Sequence, residues 1–334
     1  LAAVRRRSDA VDQAVVELFD RTFGAGKASG VAVVAVGGYG RRQLFPCSDV
    51  DLLFLFERQT AAAAARETIE LFLRQLWDAD LRASHSVRTP SECASLAADN
   101  TELHISLLDR RHLAGDQALY DRMAERLPTF YARERAPLLR QLTGLTRARH
   151  ARYGDTIYHL EPNIKDAPGG IRDFHLACWL TQLSHAAPGP LGPDQFLPED
   201  SRAELLEARR FLYALRCYLH YFNQRDANVL TFDHQERVAA EAGRRSDSSA
   251  DPAEWMREYF RNVRVVHRLA GRMMEESSTP EHSLFTIFRD RQSRLSNADF
   301  AVTRGLLYVR RPEALETEPA LLLRLFEFIA RHGV

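Results

Sequence analysis

Two apolar segments joined by a glycine turn are the feature that most constrains the fold of this chain. The segments VAVVAV (residues 31–36) and VDLLFLF (residues 50–56) are continuous apolar runs of strand length. Strands with one exposed face alternate apolar and polar residues, so uninterrupted apolar runs predict central strands that are covered on both faces. The linking residues, GGYGRRQLFPCSD, contain Pro46 and lead directly into the second run. The sequence therefore predicts a small sheet built around a strand, a Gly-Gly turn and a second strand.

Helical patterns surround this unit. Apolar residues recur at helical spacing within residues 11–23 before it and within residues 61–80 after it. The segment LRASHSVRT (residues 81–89) alternates apolar and polar side chains, which is typical of a half-exposed third strand.

Strand signals fade from about Pro90, and the rest of the chain has mostly helical patterns. The long segments predicted as helices are residues 102–113, 138–150, 171–183 and 202–222. We therefore expect an α+β protein in which a small mixed sheet with helices is followed by an α-helical domain. The predicted boundaries are an N-terminal helical segment over residues 1–30, a sheet-containing domain over 31–135 and a helical domain over 136–334.

The composition excludes several classes of protein. Lys plus Arg and Asp plus Glu both total 45, so no net charge recruits nucleic acid or an anionic membrane surface. No run approaches the ~20 apolar residues that span a bilayer. The four cysteines lack CxxC spacing and indicate reduced thiols in a cytoplasmic protein. Because the chain lacks an initial Met and ends within an amphipathic pattern, we expect a fragment truncated at its C-terminal end.

Asp49 and Asp51 lie at the start of the second predicted strand. Alternate residues of a strand point to the same face, so these two carboxylates lie on one side, roughly 7 Å apart along the chain. Paired carboxylates of this kind suit Mg²⁺, which keeps water ligands and completes its coordination with substrate phosphates. The pair indicates a site for phosphoryl or nucleotidyl transfer.

Gly37 and Gly38 provide a second element of such a site, because backbone N–H groups without a Cβ can approach a triphosphate closely. The spacing matches neither the GxGxxG dinucleotide motif nor the GxxxxGK[ST] phosphate loop. From the residues alone the alternative stays open that the glycines form a hairpin turn and the aspartates cap the end of a strand.

A second motif, EPNIKDAPGGIRDFH, lies ahead of a predicted helix. Lys165 and Arg172 flank Gly169 and Gly170, and a Gly-Gly pair at a helix N-terminus beside two cations can bind an anion. The alternative is an ordinary loop and a capped helix with solvent-exposed charges. We interpret the basic run RARHARYG (residues 147–154) as a solvated helix face.

The segment GGYGRRQLFPCSDVDLL resembles the motif of the protein-PII uridylyltransferases, members of the polymerase-β-like nucleotidyltransferase superfamily. EPNIKDAPGGIRDF, NVLTFDHQERVA and EWMREYFRNVRVV are similar to the same family, so the resemblance covers about residues 31–266. One departure is Gln43, where the family usually has Glu. We expect this difference to alter hydrogen bonding in the turn rather than chemistry.

The resemblance implies a polymerase-β-like fold for residues 31–135 and assigns roles to site residues. Asp49 and Asp51 would bind Mg²⁺, with Mn²⁺ as an alternative, and act in catalysis. The residues implied to contact the nucleotide are Gly37, Gly38, Ser48, Lys165, Gly169, Gly170 and Arg172. The superfamily often has a third carboxylate on a later strand; here it is either absent or supplied by Asp80, Glu92 or Asp99.

The activity implied is transfer of UMP from UTP to a tyrosine hydroxyl of a PII-type nitrogen-signalling protein, with release of pyrophosphate. Two alternatives remain: an adenylyltransferase acting on glutamine synthetase, and a non-catalytic module that senses a nucleotide. The family also removes UMP with a His-Asp metal domain. None of the twelve histidines is followed by Asp, and His234 fits a structural role, so we expect this chain to transfer UMP without removing it.

Overall fold

We describe the chain from a computed structural model, which covers residues 2–24, 29–95, 101–185, 195, 197, 199–246, 251–277, 299–303, 306–311 and 314–332. Contacts divide it into two compact units, Leu1–Ser278 and Thr279–Val334. The predicted boundaries at residues 30 and 135 fall within the first unit and stay a prediction.

Twelve helices of the first unit lie in the described part of the chain. They are α1 (Ala2–Phe19), α2 (Gly37–Gly40), α3 (Gln59–Ala64), α4 (Arg66–Asp78), α5 (Pro90–Cys93), α6 (Thr101–Leu108), α7 (Gln117–Arg133), α8 (Arg135–Ala151), α9 (Ile171–His185), α10 (Glu199–Asn223), α11 (Phe232–Ser246) and α12 (Pro252–Ser277). A π-helical turn, Asp20–Gly24, follows α1. None of the described helices is long and apolar enough to cross a membrane.

The sheet of the first unit has four strands, β1 (Val31–Ala35), β2 (Val50–Phe56), β3 (Ala83–Arg88) and β4 (Arg111–Gly115), in the order β3-β2-β1-β4. β1 is antiparallel to β2 and β4, whereas β2 and β3 are parallel. Every residue of β1 is buried, and so is all of β2 except Asp51. The prediction of two central strands and of an α+β fold with a small mixed sheet is therefore confirmed.

Helices cover both faces of this sheet. On one face, Val33 and Phe54 pack with Val15 and Phe19 of α1 and with Phe72 of α4. On the other face, side chains of α7, α8 and α9 pack against Ala32, Val34, Leu53 and Leu55. A third cluster, built from α9, α10 and α12, forms the core of the helical part. The apolar runs of β1 and β2 are thus explained by burial on both sides.

The predicted helix over residues 102–113 is wrong at its end. Helix α6 stops at Leu108, and Arg111–Gly115 forms the edge strand β4 instead. The sequence RHLAG has little strand propensity, so its extended form comes from pairing with β1, which is a tertiary effect.

The second unit is not wholly helical either. It contains a hairpin of β5 (Phe300–Thr303) and β6 (Leu306–Val309), followed by α13 (Ala314–Thr317) and α14 (Ala320–His332). Its small core consists of Phe300, Ala314, Leu321 and Phe328. The prediction of a helical domain after Pro90 therefore missed β5 and β6.

A buried ionic cluster joins α8 to the start of α9. The Asp173 carboxylate accepts hydrogen bonds from Arg149 at 2.5 Å and from the Gly169 N–H at 2.7 Å, and it lies 2.9 Å from His150 Nε2. Burial by itself raises the pKa of Asp173, but the contacts with His150 and Arg149 outweigh burial and hold that pKa below its usual range. The interpretation of the run RARHARYG as a solvated face is wrong for Arg149 and His150, which are both buried.

We expect Asp173→Asn to destabilise the protein by about 3 kcal/mol, because the buried Arg149 loses its counter-charge. Asp233→Asn, which removes an exposed i,i+4 pair with Arg237, should have a much smaller effect on stability, because solvent screens this pair. The lowered pKa of Asp173 means that its stabilisation is present above about pH 4 and is lost as pH falls through the folded-state pKa. Urea unfolding from pH 7 to pH 3 tests this: equal acid sensitivity of wild type and Asp173→Asn would contradict it.

Candidate functional site

The turn after β1 is a single helical turn and not a hairpin. Gly37 begins it with φ +56°, a left-handed conformation that favours glycine, and α2 ends at Gly40. Gly40 packs so closely on the backbone of Asp109 that a Cβ there would lie 1.6 Å from the Asp109 carbonyl oxygen. The hairpin alternative for the glycines is therefore excluded by the geometry.

The turn lies directly beside Asp51. The Val36 N–H donates to the Asp51 carbonyl at 3.1 Å, which extends the β1–β2 pairing past the end of β1. A Cβ on Gly37 would lie 3.5 Å from Asp51 Oδ2, so glycine leaves open space in front of that oxygen. The other oxygen, Oδ1, accepts a hydrogen bond from the Ser84 hydroxyl at 2.6 Å.

Electrostatics distinguish the two aspartates. Burial raises the pKa of Asp51 and the charge of Asp49 adds to the rise, whereas the Ser84 hydrogen bond and the charges of Arg41 and Lys165 oppose it. Asp49 is half exposed and pairs through Oδ1 with Arg82 Nε at 3.3 Å. Each carboxylate thus has one oxygen directed to a protein partner.

The position opposite Asp51 on the neighbouring strand holds Ser84 and not an acid. Of the alternatives for a third carboxylate, Glu92 closes a capping box with Thr89, and Asp99 lies outside the described residues. A role for Asp80, which follows α4, stays a prediction. Across the part of the chain that the structure describes, no three His, Cys, Asp or Glu side chains are grouped so as to hold one metal ion. The described site therefore offers a pair of carboxylates flanked by a serine hydroxyl.

Lys165 comes close to this site as part of a charged cluster that the sequence did not reveal. Its Nζ lies 3.5 Å from Asp226 Oδ2, while Asp226 Oδ1 lies 3.0 Å from Arg216 Nη2 and 2.9 Å from His220 Nε2. Burial alone raises the pKa of Asp226, but the contacts with His220, Arg216 and Lys165 hold it well below its usual range. Asp226 therefore stays a carboxylate that holds Lys165 in place.

The same cluster holds the loop that contains Ser48. Arg216 donates to the Ser48 hydroxyl at 3.4 Å, and its guanidinium lies 4.3 Å from the centre of the Phe45 ring. His220 Nδ1 accepts from the Cys47 N–H at 3.2 Å. The one hint in the sequence is that Arg216 and His220 are four residues apart, which places them on one face of a helix.

Gly169 and Gly170 are explained by packing. Gly169 has φ +77°, and a Cβ on it would lie 2.4 Å from a methyl group of Val263. A Cβ on Gly170 would lie 2.8 Å from the carbonyl oxygen of Ile164, and the Gly170 N–H already bonds to Ala167. Arg172 is half exposed and pairs with Asp166 at 3.2 Å. Contact of Gly169, Gly170 and Arg172 with a nucleotide stays a prediction.

Gln43 bonds well beyond its own turn. Its Oε1 accepts hydrogen bonds from Arg41 Nε at 3.2 Å and from the Tyr213 hydroxyl of α10 at 2.6 Å, and it lies 3.2 Å from His175 Nε2 of α9. Arg41 in turn pairs with Asp109, which also accepts from the indole of Trp179. The glycine turn is therefore held to helices α9 and α10 by partly buried polar contacts.

His175 and His234 have structural surroundings. Burial, followed by the charges of Arg41 and other arginines, lowers the pKa of His175 well below its usual value, so its ring is neutral. Arg41 can only donate, hence His175 Nδ1 accepts from it and Nε2 carries the proton. His234 is buried and contacts Thr231 and Asn223, in agreement with the predicted structural role.

Comparison with known proteins places these features in a family. Residues 138–274 match the family model described as GlnD PII-uridylyltransferase. The chain is 32% identical to the bifunctional uridylyltransferase/uridylyl-removing enzyme of Vibrio atlanticus (strain LGP32), over 97% of the chain and 37% of the relative. A relative with the same name from Methylococcus capsulatus is 37% identical over 80% of the chain and 30% of its own length. Another, from Thiobacillus denitrificans, is 34% identical over 98% of the chain and 38% of its own length. The chain therefore spans about a third of the length of these curated relatives.

Gly169→Ala should destabilise the protein by more than about 2 kcal/mol, because the methyl group meets Val263 and the positive φ is strained. Gly144→Ala is the matched control: nothing lies within 4 Å of a Cβ at this position in α8, so alanine should stabilise by about 0.5–1 kcal/mol. Thermal and urea unfolding measure both. Wild-type stability of Gly169→Ala would contradict the packing explanation.

Proposed function

Because this chain belongs to the PII-uridylyltransferase family, we propose that it transfers UMP from UTP to a tyrosine hydroxyl of a PII-type protein, with release of pyrophosphate. The observation that carries the proposal is the placement of Gly37 beside Asp51, with Asp49 at the same end of β2 and with the charge of Lys165 acting on Asp51. The proposal also assigns residues 31–135 to a polymerase-β-like nucleotidyltransferase domain followed by a helical domain. The mixed sheet of four strands is compatible with that fold.

The carboxylate pair fits Mg²⁺ or Mn²⁺ in the chemistry of its donors. Asp51 Oδ2 faces the space left by Gly37, while Oδ1 is held by Ser84, so one oxygen is oriented and free to bind a cation. Asp49 is half exposed and can exchange its contact with Arg82 for a metal at little cost. A metal bound here would polarise the α-phosphate and neutralise charge on the leaving pyrophosphate.

In the proposed reaction, the tyrosine oxygen attacks the α-phosphorus of UTP. A new O–P bond forms, the bond between the α-phosphorus and the oxygen that bridges to the β-phosphate breaks, and pyrophosphate leaves with that bonding pair. The hydroxyl proton passes to solvent or to a carboxylate of the site. The protein contributes mainly by positioning and by charge, with no enzyme-bound covalent intermediate.

Lys165 supplies positive charge on the side of the helical layer. It acts electrostatically on Asp51, and Asp226 holds it in place through a contact of 3.5 Å. We assign Lys165 to the triphosphate, since a cation fixed beside developing negative charge stabilises the transition state. Ser48, held by Arg216 in the loop before β2, is assigned to the same phosphates.

The proposed function predicts that Asp51→Asn lowers the rate of UMP transfer at least ~100-fold, because a metal ligand loses its charge. Since burial raises the pKa of Asp51, the ionised carboxylate is unfavourable in the fold, and the variant should be at least as stable as wild type. Intact-mass analysis of a PII-type protein after incubation with the chain, UTP and Mg²⁺ measures the added UMP. Asp121→Asn, on the exposed face of α7, serves as the control and should retain full activity. Wild-type turnover by folded Asp51→Asn would refute the metal assignment, and ATP used in preference to UTP would favour an adenylyltransferase.

Lys165→Ala should lower kcat/KM for UTP by about 10- to 100-fold, since one charge-assisted contact with phosphate is worth about 1.5–3 kcal/mol. Arg261→Ala is the control, because Arg261 forms only an exposed i,i+3 pair with Glu258 on α12. Initial rates across UTP concentrations check this. Identical kinetics of Lys165→Ala and wild type would show that Lys165 is an ordinary loop residue.

A further inference from the structure

Exposed apolar side chains are concentrated at one corner of the first unit. Nine large hydrophobic residues are exposed in its described part, and six of them lie on the loop before α9 or around the connection from α10 to α11. These six are Tyr158, Leu160, Tyr221, Phe222, Val229 and Phe232. Leu160 is 78% exposed and Phe232 is 54% exposed. Single exposed hydrophobic residues are ordinary, but a concentration of this kind marks a binding surface.

The backbone beneath these side chains is fixed by hydrogen bonds. Residues 162–164 run antiparallel to residues 228–230, with the Leu230 N–H donating to Pro162 at 2.9 Å and the Ile164 N–H donating to Asn228 at 2.8 Å. At one end of this pairing, Glu161 accepts from the Phe232 N–H at 2.9 Å and Gln235 donates to the Leu160 carbonyl at 2.7 Å. We call Leu160, Val229 and Phe232 the corner patch.

The other end of the same pairing is the proposed nucleotide site. Lys165 directly follows Ile164, and Asp226 precedes Asn228 by two residues, so the Lys165–Asp226 pair lies where the two segments leave the corner patch. The charge of Lys165 acts on Asp51. Lys165 lies five positions after Leu160 in the sequence, and even a fully extended chain of five residues spans no more than about 18 Å. The corner patch is therefore close enough to Lys165 for one small protein domain to contact both.

We propose that the corner patch is the docking surface for the protein that accepts the nucleotidyl group, an inference that rests on the proposed function. The phosphates of the nucleotide are negatively charged and would not bind to an exposed apolar surface. A protein acceptor that presents a single tyrosine hydroxyl needs contacts beyond that side chain. Protein interfaces bury roughly 800 Å² per partner, and their central part is more apolar than the rest of the surface and enriched in aromatic residues. The patch supplies such anchors beside Lys165.

Leu160→Ser/Phe232→Ser is the test variant, and Leu71→Ser/Trp77→Ser on α4 is its control, since Leu71 and Trp77 are 47% and 67% exposed. We expect the test variant to raise the KM for a PII-type acceptor at least tenfold without changing the KM for UTP. The control should leave both constants unchanged. All four side chains are exposed, so both variants should unfold at wild-type temperatures; Leu160→Ser alone provides a second, milder variant with a smaller shift in the same direction.

Hydroxyl-radical footprinting without UTP measures docking independently of turnover. Adding the PII-type protein should protect Leu160 and Phe232 from oxidation and leave Leu71 and Trp77 reactive.

The two experiments together separate the docking proposal from the proposed function. The docking proposal would be overturned, and the proposed function would stand, if the wild type transfers UMP, the test variant keeps the acceptor KM, and the patch is not protected. That result would also be expected if another part of a longer protein covers the patch. Protection of the patch without any transfer would overturn the proposed function and support docking. Absence of both transfer and protection would overturn both proposals.

Discussion

The antiparallel pairing of β1 with β2 is the constraint on which the site depends. Fourteen residues separate the end of β1 from the start of β2, yet the bond from the Val36 N–H to the Asp51 carbonyl brings the glycine turn next to the carboxylate pair. Burial of both strands fixes this register, because a shift by one residue would exchange the β2 side chains that fill the two cores, Leu53 and Leu55 on one face and Leu52 and Phe54 on the other. Gly37 can then leave space for a ligand in front of Asp51 without any adjustment of the backbone.

Two polar clusters connect this sheet edge to the helices, and each has buried members, His175 and Tyr213 in one and Arg216 and His220 in the other. In the first cluster, Gln43 and Arg41 form hydrogen bonds with α10 and α9. In the second, Asp226 pairs with Lys165 and Arg216, and Arg216 also donates to the Ser48 hydroxyl. Such clusters are costly to bury unless every member is paired, so they hold a particular arrangement more than they add stability. The proposed transfer depends on positioning charges around a triphosphate, and this rigidity is what the helical part would contribute to it.

The antiparallel pairing of residues 162–164 with 228–230 connects the proposed nucleotide site to the proposed docking surface. Its Lys165 end carries charge toward Asp51, while its Leu160 end presents apolar side chains to solvent. Both ends lie within residues 138–274, the region that matches the family model. A site for nucleotide and a surface for a protein acceptor can thus share one short element, whose hydrogen bonds keep the two at a fixed separation.

The sequence by itself determined the two central strands, the carboxylate pair and the family, because apolar runs and the spacing of glycines and aspartates are local patterns. It did not predict β4, whose residues RHLAG become a strand only through pairing with β1. Nor did it predict Asp226, Arg216 and His220 around Lys165, since residues far apart in the chain were brought together there by the packing of α10. The Gly169–Gly170 pair beside two cations predicted an anion site, whereas the structure explains the need for glycine at these positions by close contact with Val263 and Ile164. Local patterns determine which groups are available for chemistry, but only the packing of distant segments decides which of them meet, because close contact and burial depend on the whole fold.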